Sequence, residues 1–207
     1  MTRFLLVRHG ETEWTRTGRI QGQLDTPLTP MGMRQAEKLQ HRLRGEVFDA
    51  VYASDLRRAM ETVRIIAPGL PVEQCAELRE CSFGEINGYS FAYVQQHYPT
   101  LARRWLARWS GLSFPGGESV AGVLDRTSVC FQKLRRRHCD GTVLVVAHGG
   151  SLRAGICTLM TWGRRKWWDL QLAPASLSII DNGRSPACLL LLNDISHLNS
   201  LNEEEAP

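Results

Sequence analysis

Histidine followed by glycine closes an apolar run twice in this chain. Arg8-His9-Gly10 follows Phe4-Leu5-Leu6-Val7, and His148-Gly149-Gly150 follows Val143-Leu144-Val145-Val146-Ala147. One histidine at a strand end reads equally well as a satisfied polar residue, but two in the same setting form a constellation. The chemistry it suits is that of a phosphate dianion, which needs fixed positive charge and oriented donors. Arg8, Arg58 and His148 can supply them without a metal. Like charge from the arginines lowers the pKa of His9 and favours its neutral, nucleophilic imidazole. In-line attack by its nitrogen gives a phosphohistidine, and the departing alkoxide then needs a proton from a carboxylic acid. Glu80, Glu85 and Glu11 are the candidates, and the residues alone do not rank them.

Both histidines require a strand to deliver them. Four or five consecutive apolar residues ending in a polar turn read as a strand buried on both faces, and ligands of open α/β sheets bind beyond the carboxyl ends of such strands. The polar stretch from Glu11 to Leu28 lacks periodicity and reads as an active-site loop. Thr29-Pro30 offers an N-cap with proline at the first helical position, and Ala36, Leu39 and Leu43 share a face of the helix that follows. Ala50-Val51-Tyr52-Ala53 predicts a short strand. Ser54 or Asp55 would cap a second helix, in which Leu56, Ala59, Val63 and Ile66 recur at helical spacing. Arg57 and Arg58 then fall in its first turn, where the helix dipole disfavours a cation; a phosphate would reconcile the two.

Eight of the sixteen aromatic residues lie between Phe83 and Phe114, interleaved with Arg103, Arg104 and Arg108. Residues 83–118 predict a small helical cap. Its aromatics either form a separate hydrophobic cluster or make a lid over an organic leaving group. Ser119 begins a long amphipathic helix carrying Val120, Val123, Leu124, Phe131 and Leu134. Ser151 would cap the helix after His148, and two late apolar runs around Asp181-Asn182-Gly183 predict a hairpin. The segment 199–207 has no core-forming pattern and reads as a frayed tail.

Composition narrows the alternatives. At 207 residues the chain is long enough for one domain with a substantial core. The formal net charge of +4 comes with scattered basic clusters, which favour anionic substrates over a nucleic-acid stripe. Six cysteines without C-x-x-C spacing indicate neither a zinc site nor a disulfide framework, no glycines match a P-loop, and no cofactor is implied. The first apolar run is too short for a signal peptide and no stretch reaches transmembrane length, so cytoplasm is expected. The residues do not decide between a monomer and a homodimer.

Several segments in register resemble the histidine phosphatase superfamily, with its phosphoglycerate-mutase-like fold. These are Leu6-Val7-Arg8-His9-Gly10-Glu11-Thr12, Gln21-Gly22, Ser54-Asp55-Leu56-Arg57-Arg58, Leu78-Arg79-Glu80 with Phe83-Gly84, Gly116-Gly117-Glu118-Ser119 and Ala147-His148-Gly149-Gly150. The resemblance implies an α/β three-layer sandwich with a mostly parallel central sheet. It implies His9 as the phosphorylated nucleophile, Arg8, Arg58 and His148 as the phosphate pocket with Gln21 and the Gly149 amide as further donors, and Glu80 as the proton donor. Thr15 stands where the family usually has asparagine and would have to donate in its place. Cys81-Ser82-Phe83-Gly84 after the acid, and the compact length, favour a phosphatase acting on a small phosphomonoester over a phosphoglycerate mutase. The Pro115-Gly116-Gly117-Glu118-Ser119 segment is similar to that of α-ribazole phosphatases of the cobalamin pathway. A non-catalytic binding protein on this fold would be expected to lack some of Arg8, His9, Arg58, Glu80 and His148.

Overall fold

The computed structural model describes residues 2–109, 111–183, 185–199 and 201. In chain order, β1 (Thr2–Arg8) leads into a single helical turn, α1 (Glu13–Arg16), then α2 (Pro30–Arg42), β2 (Ala50–Ala53), α3 (Arg57–Ile66) and a two-residue edge strand, β3 (Glu73–Gln74). Two short helices, α4 (Phe91–His97) and α5 (Pro99–Leu106), precede the long α6 (Val120–Arg137). The chain continues as β4 (Gly141–Ala147), α7 (Gly149–Leu159), β5 (Leu177–Asp181) and β6 (Cys188–Asp194).

The strands form one sheet in the order β3-β2-β4-β1-β5-β6. β3, β2, β4 and β1 run parallel; β5 lies antiparallel to β1, and β6 pairs antiparallel with β5 as the expected hairpin. Successive side chains of a strand face opposite sides, and here both sides are covered. Phe4, Leu6, Val143 and Val145 pack with Phe131 of α6 and Leu152 and Ile156 of α7. Leu5, Val7, Leu144 and Val146 pack with Ala36 and Leu39 of α2 and Val63 of α3. Three layers result, as the double-sided apolar runs require. Burying each such aliphatic side chain is worth roughly 1.5–3 kcal/mol, so the two faces rather than helix propensity fix where the helices lie.

Helix starts are only partly where local signals place them. Thr29 caps α2 by accepting from the Gly32 N–H at 3.0 Å, with Pro30 at the first position, and Ser119 caps α6 in the same way at 3.0 Å. Neither Ser54 nor Asp55 caps α3. Leu56 occupies that position without a side-chain bond, and the first free N–H, that of Arg57, donates to the Asp25 carboxylate at 2.6 Å. Asp55 is drawn off into a paired contact with Arg79. Ser151 does not cap α7 either. The helix begins at Gly149, and the Ser151 hydroxyl sits at its third position, accepting from the His148 N–H at 3.3 Å. α1 lies in the stretch read as loop, since Thr12 and Thr15 bond each other's backbone and close a turn too short to show periodicity.

The cap is helical, but its cluster is not separate. Ile86, Val94, Ala102, Leu112 and Phe114 are buried in the same cluster as the sheet face beneath α6 and α7. Of the segment 199–207, Asn199 and Leu201 are described, and Leu201 is buried with Leu198 and Ala175. The remainder lies outside the described residues. Among those residues no helix is long and apolar enough to cross a membrane.

Candidate active site

Arg8 pairs with Ala147 in the β1–β4 ladder. The next residues, His9 and His148, therefore leave two adjacent parallel strands side by side, and their ring centroids are 5.1 Å apart. Nδ1 of His9 lies 2.7 Å from the Gly10 carbonyl oxygen. A carbonyl only accepts, so Nδ1 carries the hydrogen and Nε2 keeps its lone pair. Arg58 Nε–H faces that lone pair at 3.3 Å. Burial, reinforced by Arg58 and then Arg8, holds the His9 imidazole well below its ordinary value. The imidazole is thus buried, neutral and held in one orientation, with its one unprotonated nitrogen turned to Arg58.

The cations around it are fixed by backbone. Arg58 is fully buried and donates to the carbonyls of Leu24 at 2.8 Å and Gly22 at 2.7 Å; burial pushes its guanidinium down to about 10, which leaves it charged at neutral pH. Arg8 donates to the Leu172 carbonyl, while its Nε is buried without a partner. His148 Nε2 lies 2.8 Å from the Ser54 hydroxyl, and its buried Nδ1 has no partner either. Burial first, then Arg58, keeps His148 well below its ordinary value as well. With Ser54 donating to Nε2, Nδ1–H becomes a donor. Gly149 is the first residue of α7, so its N–H has no acceptor within the helix. Each buried donor left unmade costs about 1–3 kcal/mol, and an anion bound here would satisfy all three.

Of the three candidate acids, only Glu80 reaches this place. Its carboxylate accepts from the Gly150 N–H at 3.1 and 3.0 Å and from the Cys81 N–H at 2.9 Å. A Cβ built on Gly149 would stand 3.8 Å from both the Arg8 guanidinium and the Glu80 carboxylate. Glu11 instead accepts from the Thr29 hydroxyl at 2.8 Å, and Glu85 is exposed. The loop carrying Glu80, which follows a single 3₁₀ turn at Ala76–Leu78, has no sheet to hold it. Arg126 of α6 does so, donating to the carbonyls of Glu77, Arg79 and Glu80 at 2.7, 2.8 and 2.9 Å. Glu118 completes the clamp, pairing with Arg126 at 2.7 Å and accepting from the Ser82 N–H at 2.8 Å. Gly84, at φ +57°, lets the Pro115–Gly117 turn close on this segment; a Cβ there would meet the Pro115 oxygen at 2.0 Å.

Residues 4–195 match the sequence model of the histidine phosphatase superfamily (branch 1). The chain belongs to that superfamily. It is 36% identical over 200 residues to phosphoserine phosphatase 1 of Hydrogenobacter thermophilus, covering 96% of this chain and 95% of the relative. A metal-independent phosphoserine phosphatase of Arabidopsis thaliana is 32% identical over 206 residues, covering 97% of this chain and 85% of the relative. Among solved structures, the α-ribazole phosphatase of Shigella flexneri superposes with a TM-score of 0.85 at 29% identity, covering 93% of this chain and 96% of that one. The protein is a histidine-phosphatase-type phosphatase with a phosphoglycerate-mutase-like α/β fold.

Two expected donors of this histidine phosphatase are otherwise engaged. The Thr15 hydroxyl donates its one hydrogen to the Thr12 carbonyl at 2.9 Å, as a capping residue of α1. The amide of Gln21 spends its hydrogens on the hydroxyls of Thr12, at 3.0 Å, and Thr26. Both side chains shore up the loop after β1. Four contributors carried no local signal: Ser54, through His148; Arg126 and Glu118, through Glu80; and Arg153, which shares a cavity of about 320 Å³ with Glu80. The i, i+4 spacing of Gly149 and Arg153 does place them on one helix face. The cap contributes Phe83, Trp105 and Phe114 to that cavity, packed on one another with Phe83 and Trp105 stacked at 5.6 Å. These three serve core and cavity together, whereas Tyr89 and Tyr93 stack on each other and Trp109 is exposed. Among the described residues no three His, Cys, Asp or Glu side chains converge as metal ligands.

Proposed function

We propose that this histidine phosphatase hydrolyses a small phosphomonoester through a phosphohistidine at His9, without a metal. The carrying observation is the His9 ring, with Nδ1–H on the Gly10 carbonyl and Nε2 left to attack beside Arg58. In the first transfer the Nε2 lone pair forms the bond to phosphorus as the P–O ester bond breaks in line with it. Protonated Glu80 gives its hydrogen to the departing oxygen. Arg8, Arg58, His148 and the Gly149 N–H take up the charge on the equatorial oxygens. In the second transfer the Glu80 carboxylate takes a proton from water as that water attacks phosphorus, the P–N bond breaks, and free imidazole and inorganic phosphate result. The metal-independent relative supports a scheme in which side chains alone supply the charge.

The names of the relatives offer phosphoserine and α-ribazole 5'-phosphate as substrates; the second would place the enzyme in cobalamin synthesis, as the sequence resemblance implies. A phosphoglycerate mutase differs only in the acceptor of the second transfer, a substrate hydroxyl in place of water. Phosphate release from phosphoserine, α-ribazole 5'-phosphate and 3-phosphoglycerate, measured in EDTA beside isomerisation of 3-phosphoglycerate, tests the reading. Release that survives EDTA without isomerisation is expected. Isomerisation outpacing release would make the protein a mutase, turnover restored only by added magnesium or zinc would end the metal-free scheme, and no turnover of any ester would leave a binding protein.

A further inference from the structure

The cavity beside Glu80 holds a cation that the transfer scheme does not use. Arg153 stands one turn beyond Gly149 on α7, with Nε donating to the Gly149 carbonyl at 3.1 Å and the guanidinium 4.0 Å from the centroid of the Trp167 ring. Trp167 is itself buried and fixed, its indole N–H bonded to the Gly150 carbonyl at 2.8 Å. Backbone and ring thus set the plane of the guanidinium and leave its two terminal nitrogens uncommitted. Among the described residues no carboxylate lies within 4.0 Å of it. The other arginine lining the cavity, Arg108, is paired with Asp169 at 2.5 Å. Glu80 is occupied by the amides of Gly150 and Cys81.

A largely desolvated guanidinium that feels the Glu80 charge but touches no carboxylate is costly in a finished protein core. At the wall of a cavity it is a binding group, and the planar fork of arginine matches a carboxylate. The position says which part of a substrate would meet it. The phosphoryl group belongs against His9, Arg8 and Arg58, and the ester oxygen must face Glu80 to be protonated. What lies beyond the ester oxygen therefore enters the cavity that Arg153, Phe83, Trp105 and Trp167 enclose. We propose that Arg153 binds a carboxylate on the leaving group, so that the substrate is the phosphate ester of a short hydroxy acid. A nucleoside 5'-phosphate of neutral base would bury this cation against nothing that pairs with it. The proposal rests on the placement of phosphate and ester oxygen given above.

Phosphoserine and phosphoethanolamine differ only in the carboxylate and make the matched pair for the test. Wild-type enzyme should prefer phosphoserine in kcat/KM, and Arg153→Gln should remove about 10- to 100-fold of that preference, the range of a charge-assisted hydrogen bond, mostly through KM. Arg153→Lys, which keeps the charge and loses the fork, should fall between. Equal loss on both substrates would make Arg153 a structural support and overturn the proposal. So would wild-type enzyme that handles phosphoethanolamine or α-ribazole 5'-phosphate as well as phosphoserine. Calorimetric binding of the same pair to His9→Ala, with and without Arg153→Gln, separates the two layers of the argument. A carboxylate preference that depends on Arg153 supports the proposal even if turnover chemistry is other than described. No such preference in binding defeats it whatever the turnover.

Discussion

Replacing Gly150 by alanine adds one methyl group where the Glu80 carboxylate leaves no room for it. A Cβ there would stand 2.1 Å from Oε1 of Glu80, against the 3.0 Å that such contacts need. Gly150 is held from behind by the indole of Trp167, so the carboxylate must be the group that moves, by about 1 Å. That displacement lengthens the 3.0 and 3.1 Å bonds from the Gly150 N–H and takes the acid off the ester oxygen. A misplacement of about 1 Å at a reacting group costs on the order of 100-fold, within the 10²–10⁴ range that a general acid contributes. Alanine in a helix is favoured over glycine by up to about 1 kcal/mol, so thermal stability should hold or rise. The assay is single-turnover phosphorylation of Gly150→Ala with an alkyl phosphate and with p-nitrophenyl phosphate, beside Glu80→Gln. Both variants should lose about 100-fold or more on the alkyl ester, whose departing oxygen needs the proton, and far less on the nitrophenyl ester. Wild-type rates for Gly150→Ala on the alkyl ester, or equal losses on both esters, would refute the placement of the acid.

Arg126→Gln should release the three carbonyls it holds and lower kcat for alkyl phosphates by roughly tenfold to a hundredfold with little change in KM; a rise in KM alone would show that the clamp serves substrate binding instead. Stability should fall below neutral pH, because His9 and His148 are kept neutral in the folded protein and take up protons on unfolding. Their folded values lie below the unfolded value of about 6.5, so stability is constant above that pH and declines as pH drops from it towards the folded values, by up to about 1.4 kcal/mol per pH unit for each histidine. His138 and His197, lowered by burial, titrate in the same window, so the test is the difference between wild type and His9→Gln in denaturant titrations at pH 7.5, 6.5 and 5.5. A slope unchanged by His9→Gln would mean that His9 is protonated in the folded state.

The parts of the site legible in the sequence are those that strands deliver. A run buried on both faces has one reading, and the residue that ends it must lie at the carboxyl end of a central strand, which places Arg8, His9 and His148. Arg58 was legible as a misfit at a helix start. Glu80 could not be ranked above Glu11 and Glu85 from its surroundings, because what selects it is the Gly150 N–H, seventy residues away. The same limit hid Arg126 and Arg153, whose partners are carbonyls and a ring brought near by the fold. Short polar side chains misled in the opposite sense. Ser54, Asp55 and Ser151 each suit a helix N-cap by type, yet they bond His148, Arg79 and the His148 N–H instead, because hydroxyls and carboxylates bond whichever group comes first within reach.

Covalent attachment of phosphate to His9 is the central claim, and rapid quench measures it directly. Wild-type enzyme mixed with a labelled phosphomonoester and stopped in alkali within milliseconds should carry up to one equivalent of label, stable to base, lost in acid, and mapping to the peptide that contains His9. His9→Ala should carry none while melting as wild type does. Label that survives acid, that maps elsewhere, or that persists with turnover in His9→Ala would contradict the account.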